Sequence, residues 1–244
     1  LAARKQVSLQ DLAGARLVRS TLLECEYGRI DLARARLELA VLHQADLRQA
    51  TLAGLAADGA ILVGANFDGQ QADGIVLARC TLRAASFRHA SLCGADLTEA
   101  NCAGARFDGT VLRALQAPRA GFVGARLRSS DFGAAQLEQA LFQGARLVAC
   151  SFAAARLARS VWNNSRSRAV SFAGAALAYV RFDDAHGREL DFRDAILDYS
   201  SFHGSAICAS DFRGSSRRAL ALTDAALQAA RQHAYAYPTQ EQTV

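Results

Sequence analysis

The chain has 244 residues, of which 51% are hydrophobic and only two are proline, a balance typical of a folded protein. Its formal net charge of +5 argues against a surface that imitates the negative charge of DNA. No stretch reaches the roughly 18–20 uninterrupted apolar residues of a membrane span, and the opening LAARKQVSLQ lacks the apolar core of a signal peptide, so we expect a cytoplasmic protein.

Residues 1–9 precede any regular pattern, and we interpret them as an N-terminal cap or linker. Because the sequence contains no methionine, we expect that Leu1 is not the natural start and that the chain is a piece of a longer protein. The six cysteines match no zinc-binding spacing, and most replace small apolar residues of the pattern described next. We expect them to be reduced packing residues.

Residues 10–214 repeat every five positions. From Leu12 to Phe212, 35 of the 41 positions whose numbers end in 2 or 7 are Leu, Ile, Phe, Tyr or Trp. Two positions earlier, 32 of 41 residues are Ala, Ser, Thr or Cys. The phase never slips, which predicts an uninterrupted solenoid whose central residues face inward.

Aromatic residues recur every twenty positions, which indicates four five-residue sides per coil with like side chains stacked on like. We predict that they form the structural core, in two series. They are Phe132, Phe152, Phe172, Phe192 and Phe212, and Phe122, Phe142, Trp162, Phe182 and Phe202. Where a central residue shrinks to alanine, as at Ala57, the residue two places earlier is bulky, here Leu55. Ser167 and Gly187 are small without such compensation.

The repeat resembles the A(D/N)LXX motif of the pentapeptide-repeat family. It is present as Ala45-Asp46-Leu47, Ala65-Asn66-Phe67 and Ala95-Asp96-Leu97. The resemblance implies an all-β fold, a right-handed quadrilateral β-helix. About ten coils at ~4.8 Å each would make a rod ~50 Å long.

The C-terminal residues depart from this pattern. Residues 215–237 are rich in helix formers, with Thr223 as a plausible N-cap and Pro238 as a stop, so we predict an α-helical cap on the last coil. Residues 238–244 are predicted to be a disordered tail. Family members use this end for dimerisation, so the resemblance implies a homodimer through the C-terminal helix.

The four sides differ in their outward residues. We number them by their first central residues: side one from Leu12, side two from Leu17, side three from Leu22 and side four from Tyr27. Side four has a basic character and side three an apolar one, and we predict that both bind a partner. The basic residues are Arg106, Arg126, Arg128, Arg146, Arg166, Arg168 and Arg188. The apolar residues are Val41, Ile61, Val63, Val123, Leu141 and Val161. An alternative for side four is a solvated surface whose arginine stems cover the coil.

We find no catalytic constellation, phosphate loop or metal-ligand set, so we expect no enzyme activity and no cofactor or metal. The predicted function is a non-catalytic scaffold that docks a protein partner with an acidic surface and does not bind membranes. It would suit a module of a larger bacterial protein, such as a secretion-system adaptor or effector-associated protein. The alternative implied by the family resemblance is protection of DNA gyrase against poisons by DNA mimicry. The positive net charge opposes that alternative.

Overall fold

The computed structural model describes residues 12–22 and 29–222. The five-residue period determines which side chains face inward. Over most of this range the central residue and the small residue two places before it are buried, and the other three positions of each step are more exposed. Burial of two positions in five builds a narrow apolar interior from short sides, because each side has room for only one large inward residue.

The chain is an all-β parallel solenoid, and the described residues contain no helix. Five strands form one parallel sheet in the order β1-β2-β3-β4-β6, and β5 pairs with β7. Their bounds are β1 Arg126–Arg128, β2 Arg146–Val148, β3 Arg166–Arg168, β4 His186–Arg188, β5 Ser201–Phe202, β6 Ala206–Cys208 and β7 Ala221–Leu222. Every partner lies twenty residues away, so four five-residue sides complete one turn.

The five-stranded sheet spans about five turns, fewer than the ten coils predicted from the sequence. Outside it the chain is held by isolated parallel bridges. They keep the same offset, from Arg16↔Arg36 to Ile196↔Ser216. Short sides explain why bridges replace longer strands, since each side turns a corner after three extended residues.

The corners rely on left-handed backbone conformations. Gly109 has φ +69°, and non-glycine residues such as Tyr179 (φ 60°) adopt the same conformation. Within each corner a backbone hydrogen bond closes the turn, for example from the Ala105 N–H to the Cys102 carbonyl at 3.0 Å. A left-handed non-glycine residue costs about 1–2 kcal/mol, so the hydrogen bonds between coils must offset this strain.

The interior contains stacked aromatic ladders. Phe132 stacks on Phe152 with ring centroids 4.7 Å apart, and Phe142 stacks on Trp162 at 4.0 Å. Rings of the two series meet edge to face, as Phe152 and Trp162 do at 84°. Face-to-face contacts along the axis and edge contacts across it fill the bore without large side chains elsewhere.

Ser167 and Gly187 are compensated from a direction that the sequence analysis did not consider. A Cβ atom at Gly187 would lie 2.6 Å from the Cδ1 atoms of both Leu190 and Ile207. Leu190 is buried at a position that is usually Ala or Ser, and Val170 is buried three residues after Ser167. The lost volume is therefore restored by the residue three places later.

The predicted helical cap over residues 215–237 is wrong for residues 215–222. Ser216 forms a bridge with Ile196, and Ala221–Leu222 is strand β7. The solenoid therefore continues past residue 214, and the described residues give no support for dimerisation through a helix. Residues 223–237, the predicted tail 238–244 and residues 1–9 lie outside the described residues.

Candidate protein-binding face

Side four carries the five-stranded sheet, and the sheet aligns its arginines. Arg126, Arg146 and Arg166 are direct partners in neighbouring strands, followed by His186. Arg106 joins the same column through its bridge with Arg126. The spacing of neighbouring strands places these backbones ~4.8 Å apart, so the side chains form one continuous row along the axis.

A second row runs parallel to the first, two residues further along each strand. Arg128 pairs with Val148, Val148 with Arg168, and Arg168 with Arg188. Alternate residues of a strand point to the same face. Both rows therefore project outward, about 6.6–7 Å apart at their backbones.

Most of these arginines form no ion pair with a carboxylate of the described residues. Between residues 29 and 222, no carboxylate forms an ion pair with Arg106, Arg126, Arg128, Arg146 or Arg166; the same holds across residues 12–22. Glu189 contacts Arg188 at 3.1 Å and Arg168 at 3.7 Å. The C-terminal half of side four therefore presents a net positive field to solvent.

The N-terminal half of the same side is different, because Arg48 and Arg88 are paired with acids. Arg48 donates two hydrogen bonds to Asp46 and lowers the pKa of that carboxyl. Partial burial raises the pKa of Asp68, but hydrogen bonds from Arg88 and Ser86 outweigh it and hold the value below normal. Between Arg48 and Arg188, the described arginines of side four that lack an ion pair thus lie only from Arg106 to Arg166.

An open cleft of ≈ 650 Å³ lies on this basic end. Its walls include Arg146 and Arg166 from one row and Arg168 and Arg188 from the other. Leu147, Ser167 and Gly187, the central residues between the two rows, form its floor. The sequence analysis did not foresee the cleft, although two parallel rows of arginine in constant register were a signal for it.

The apolar residues of side three do not form one continuous line. Val41 pairs with Ile61 and Leu141 with Val161, but Thr81, Asn101 and Gly121 occupy the column between those pairs. Of the six predicted residues only Val123 is exposed, at 42%. Five are half-buried, so this side offers little apolar area to a partner.

A family model described as "Pentapeptide repeats" matches residues 30–69 and 75–113, in eight copies. The chain contains pentapeptide repeats over these two ranges. No curated protein matches it significantly in sequence.

Three solved pentapeptide-repeat structures are similar to this protein. HetL from Nostoc sp. strain PCC 7120, involved in heterocyst differentiation regulation, is 20% identical over 84% of this chain and 88% of its own, with a TM-score of 0.53. A protein of the Arabidopsis thaliana thylakoid lumen is 30% identical over 43% of this chain and 66% of its own, with a TM-score of 0.29. QnrB1, a plasmid-mediated fluoroquinolone resistance protein, is 17% identical over 88% and 94%, with a TM-score of 0.32. Because the last two scores are below 0.5, the similarity of fold rests on HetL.

The protein also exposes a pair of tyrosines that sequence reasoning missed. Tyr179 and Tyr199 lie at one corner of side two, 51% and 48% exposed, with their rings stacked at 5.0 Å. The Arg159 guanidinium lies 5.8 Å from the Tyr179 ring centroid. Their separation by twenty residues was the signal for this stack.

Within the described ranges, no three histidine, cysteine or acidic side chains are grouped so that they could hold a metal ion. The described residues also include no helix long and apolar enough to cross a membrane. Cys80, Cys102 and Cys150 are free and buried, and burial raises the pKa of Cys80 to about 12. A thiol with so high a pKa is a poor nucleophile near neutral pH, so Cys80 acts as a packing residue.

Proposed function

We propose that this protein is a non-catalytic scaffold that docks an acidic protein partner through the C-terminal half of side four. The observation that supports it is the pair of arginine rows, most of whose members have no carboxylate partner in the described part of the chain. Elsewhere the structure pairs many arginines with acids, as Arg193 with Asp191 at 2.8 Å. A row of like charges without such pairs contributes nothing obvious to the fold.

The rod supplies the rigidity that this role needs. The isolated bridges extend the twenty-residue register over two hundred residues, and we include in the proposal a rod of about ten coils. A stiff sheet fixes the position of each arginine Cα atom along the rod axis. A partner therefore meets an array whose spacing is already set. Such preorganisation reduces the entropy lost on binding.

The test is charge reversal of three arginines in the first row. A partner recovered from the source cell would be titrated calorimetrically against wild type and the triple variant Arg126→Glu, Arg146→Glu, Arg166→Glu. We expect at least about a tenfold loss of affinity, because complementary charges become repulsive.

A matched control removes the same net charge elsewhere. The control is Arg19→Glu, Arg34→Glu, Arg83→Glu, on sides two, one and three, where the described residues also provide no ion pair. It should bind within about twofold of wild type if location matters more than total charge. Equal losses in both triples would contradict the proposal.

Gyrase protection by DNA mimicry requires a continuous acidic face, and side one comes nearest to it. There Asp131, Asp191 and Asp211 each lie within 3.5 Å of an arginine, which neutralises the C-terminal half of that side in part. A supercoiling assay with gyrase and a fluoroquinolone separates the two functions. Rescue of supercoiling by stoichiometric protein would replace the scaffold proposal with gyrase protection.

A further inference from the structure

The cleft on side four limits the shape of what can bind there, and this inference rests on the proposed function. The two arginine rows stand on alternate residues of the same strands, so their backbones are only about 6.6–7 Å apart. An α-helix with its side chains is about 10–12 Å across and would rest on the rims. The backbone of a single extended chain occupies only ~4.8 Å, the spacing of neighbouring strands, and is narrower than the distance between the rows.

The two walls also match the symmetry of an extended chain. In such a chain, successive side chains point to opposite directions. A chain lying along the rod axis with its backbone over the floor would send alternate side chains to Arg146 and Arg166 on one wall. The side chains between them would reach Arg168 and Arg188 on the other wall. A helix presents a single stripe and could satisfy only one row at a time.

The cleft has a defined length along the axis, because its lining comes from four consecutive strands of the sheet. At the N-terminal end Val148 takes the place of an arginine in the second row while the first row continues to Arg126, and Ala206 and Cys208 close the C-terminal end. Four strands at ~4.8 Å span about 14 Å, which corresponds to about five residues of extended chain at ~3.3 Å each. No acidic residue lines the cleft among the described residues, although Glu189 contacts two of its arginines, Arg168 and Arg188.

We propose that the cleft binds an extended acidic segment of the partner, about five residues long and rich in Asp or Glu, lying parallel to the rod axis. Arginine suits carboxylates because its planar guanidinium donates two parallel hydrogen bonds. The exposed Val148 side chain favours an apolar residue at one end of that segment.

Fluorescence anisotropy with a labelled hexaglutamate peptide tests the proposal directly. Two competitors carry the same six charges in other shapes: a lactam-bridged helix with its glutamates on one face, and heptathymidylate, which carries phosphates. We expect hexaglutamate to bind wild type at least about tenfold more tightly than either competitor, because only it reaches both walls. Equal or tighter binding of the helix or of heptathymidylate would overturn the inference.

The site is located by variants and by one thiol. Arg166→Glu with Arg188→Glu should weaken hexaglutamate binding at least about tenfold, whereas Arg34→Glu with Arg83→Glu should leave it within about twofold. Urea unfolding of both variants establishes that they are folded. Bound peptide should slow alkylation of exposed Cys208 but not of Cys93 on side one.

The outcomes separate this inference from the proposed function. If the partner protein loses affinity for the triple variant but hexaglutamate fails to bind, the basic face is the docking site and the extended segment is wrong. If hexaglutamate binds but Arg166→Glu with Arg188→Glu does not weaken its binding, the cleft is not its site. The same conclusion follows if bound peptide does not slow alkylation of Cys208. If both triples bind the partner equally, the proposed function itself is wrong.

Discussion

The arginine rows should lower the stability of the fold, and this can be measured by replacing Arg146 with glutamine. Arg146 lies between Arg126 and Arg166 in the first row. If the guanidinium groups splay to about 7 Å, each like pair in water costs about 0.6 kcal/mol. At physiological salt the Debye length of ~8 Å reduces this to about 0.25 kcal/mol per pair.

With two neighbours, Arg146→Gln should therefore raise the free energy of unfolding by about 0.5 kcal/mol at 0.15 M salt and by about 1 kcal/mol at low salt. Urea is the suitable denaturant, because guanidinium chloride would screen the charges. Arg146→Lys keeps the charge and should change stability little. Arg193→Gln, which removes a paired arginine, should lower stability instead.

A fall in stability for Arg146→Gln, at either salt concentration, would refute this reasoning. It would mean that the aliphatic stem of Arg146 protects the coil and outweighs the repulsion, as in the alternative interpretation of a solvated surface. A rise that disappears at 1 M salt would support a row of arginines that serves binding at the expense of stability.

Three further predictions concern the interior and the acidic residues. Phe152→Ala should lower the free energy of unfolding by about 3–5 kcal/mol in urea titrations, and Phe212→Ala, which is only partly buried, by less. Gly187→Ala should cost about 1–3 kcal/mol because its Cβ overlaps Leu190, and Leu190→Ala in the same chain should recover part of that loss; if it does not, the overlap is not the cause. A hydrogen bond from its neighbouring arginine lowers the pKa of Asp191, so its contribution is complete above about pH 4 and is lost as the pH falls through the folded value. Asp191→Asn should therefore flatten the loss of stability below pH 4, and an unchanged slope would contradict this.

The pairing of residues between neighbouring coils could be predicted from the sequence, because an unbroken five-residue period determines which residues are neighbours. Once the central residues face inward and four sides make a turn, Arg126 must neighbour Arg146, since both occupy the same position of their steps. The same logic places Tyr179 beside Tyr199. What the period cannot give is the shape between rows, because the cleft depends on the direction of long arginine side chains.

The C-terminal prediction was wrong for a physical reason. Alanine is both the best helix former and the preferred small residue of the repeat, so a run such as ALAL is compatible with either structure. Over residues 215–222 the pattern persists in a weaker form. The Ser215 hydroxyl donates to the Phe212 carbonyl at 2.7 Å, so a polar residue takes the small position, and Leu222 takes the central one. The preceding coil presents backbone N–H and C=O groups at its edge. Hydrogen bonding to them favours a strand over a helix at residues 221–222.

The constant offset of twenty residues makes the length of this rod independent of the chemistry of its faces. Removing or duplicating twenty residues would change the length by ~4.8 Å and leave every later side chain on its original side. Removing five residues before Arg166 would instead rotate all later residues by a quarter turn about the axis. Arg166 and Arg168 would then lie on an adjacent side. A lineage or a designer can therefore set how far apart two docked surfaces lie, and separately set the angle between them, by choosing how many residues to add.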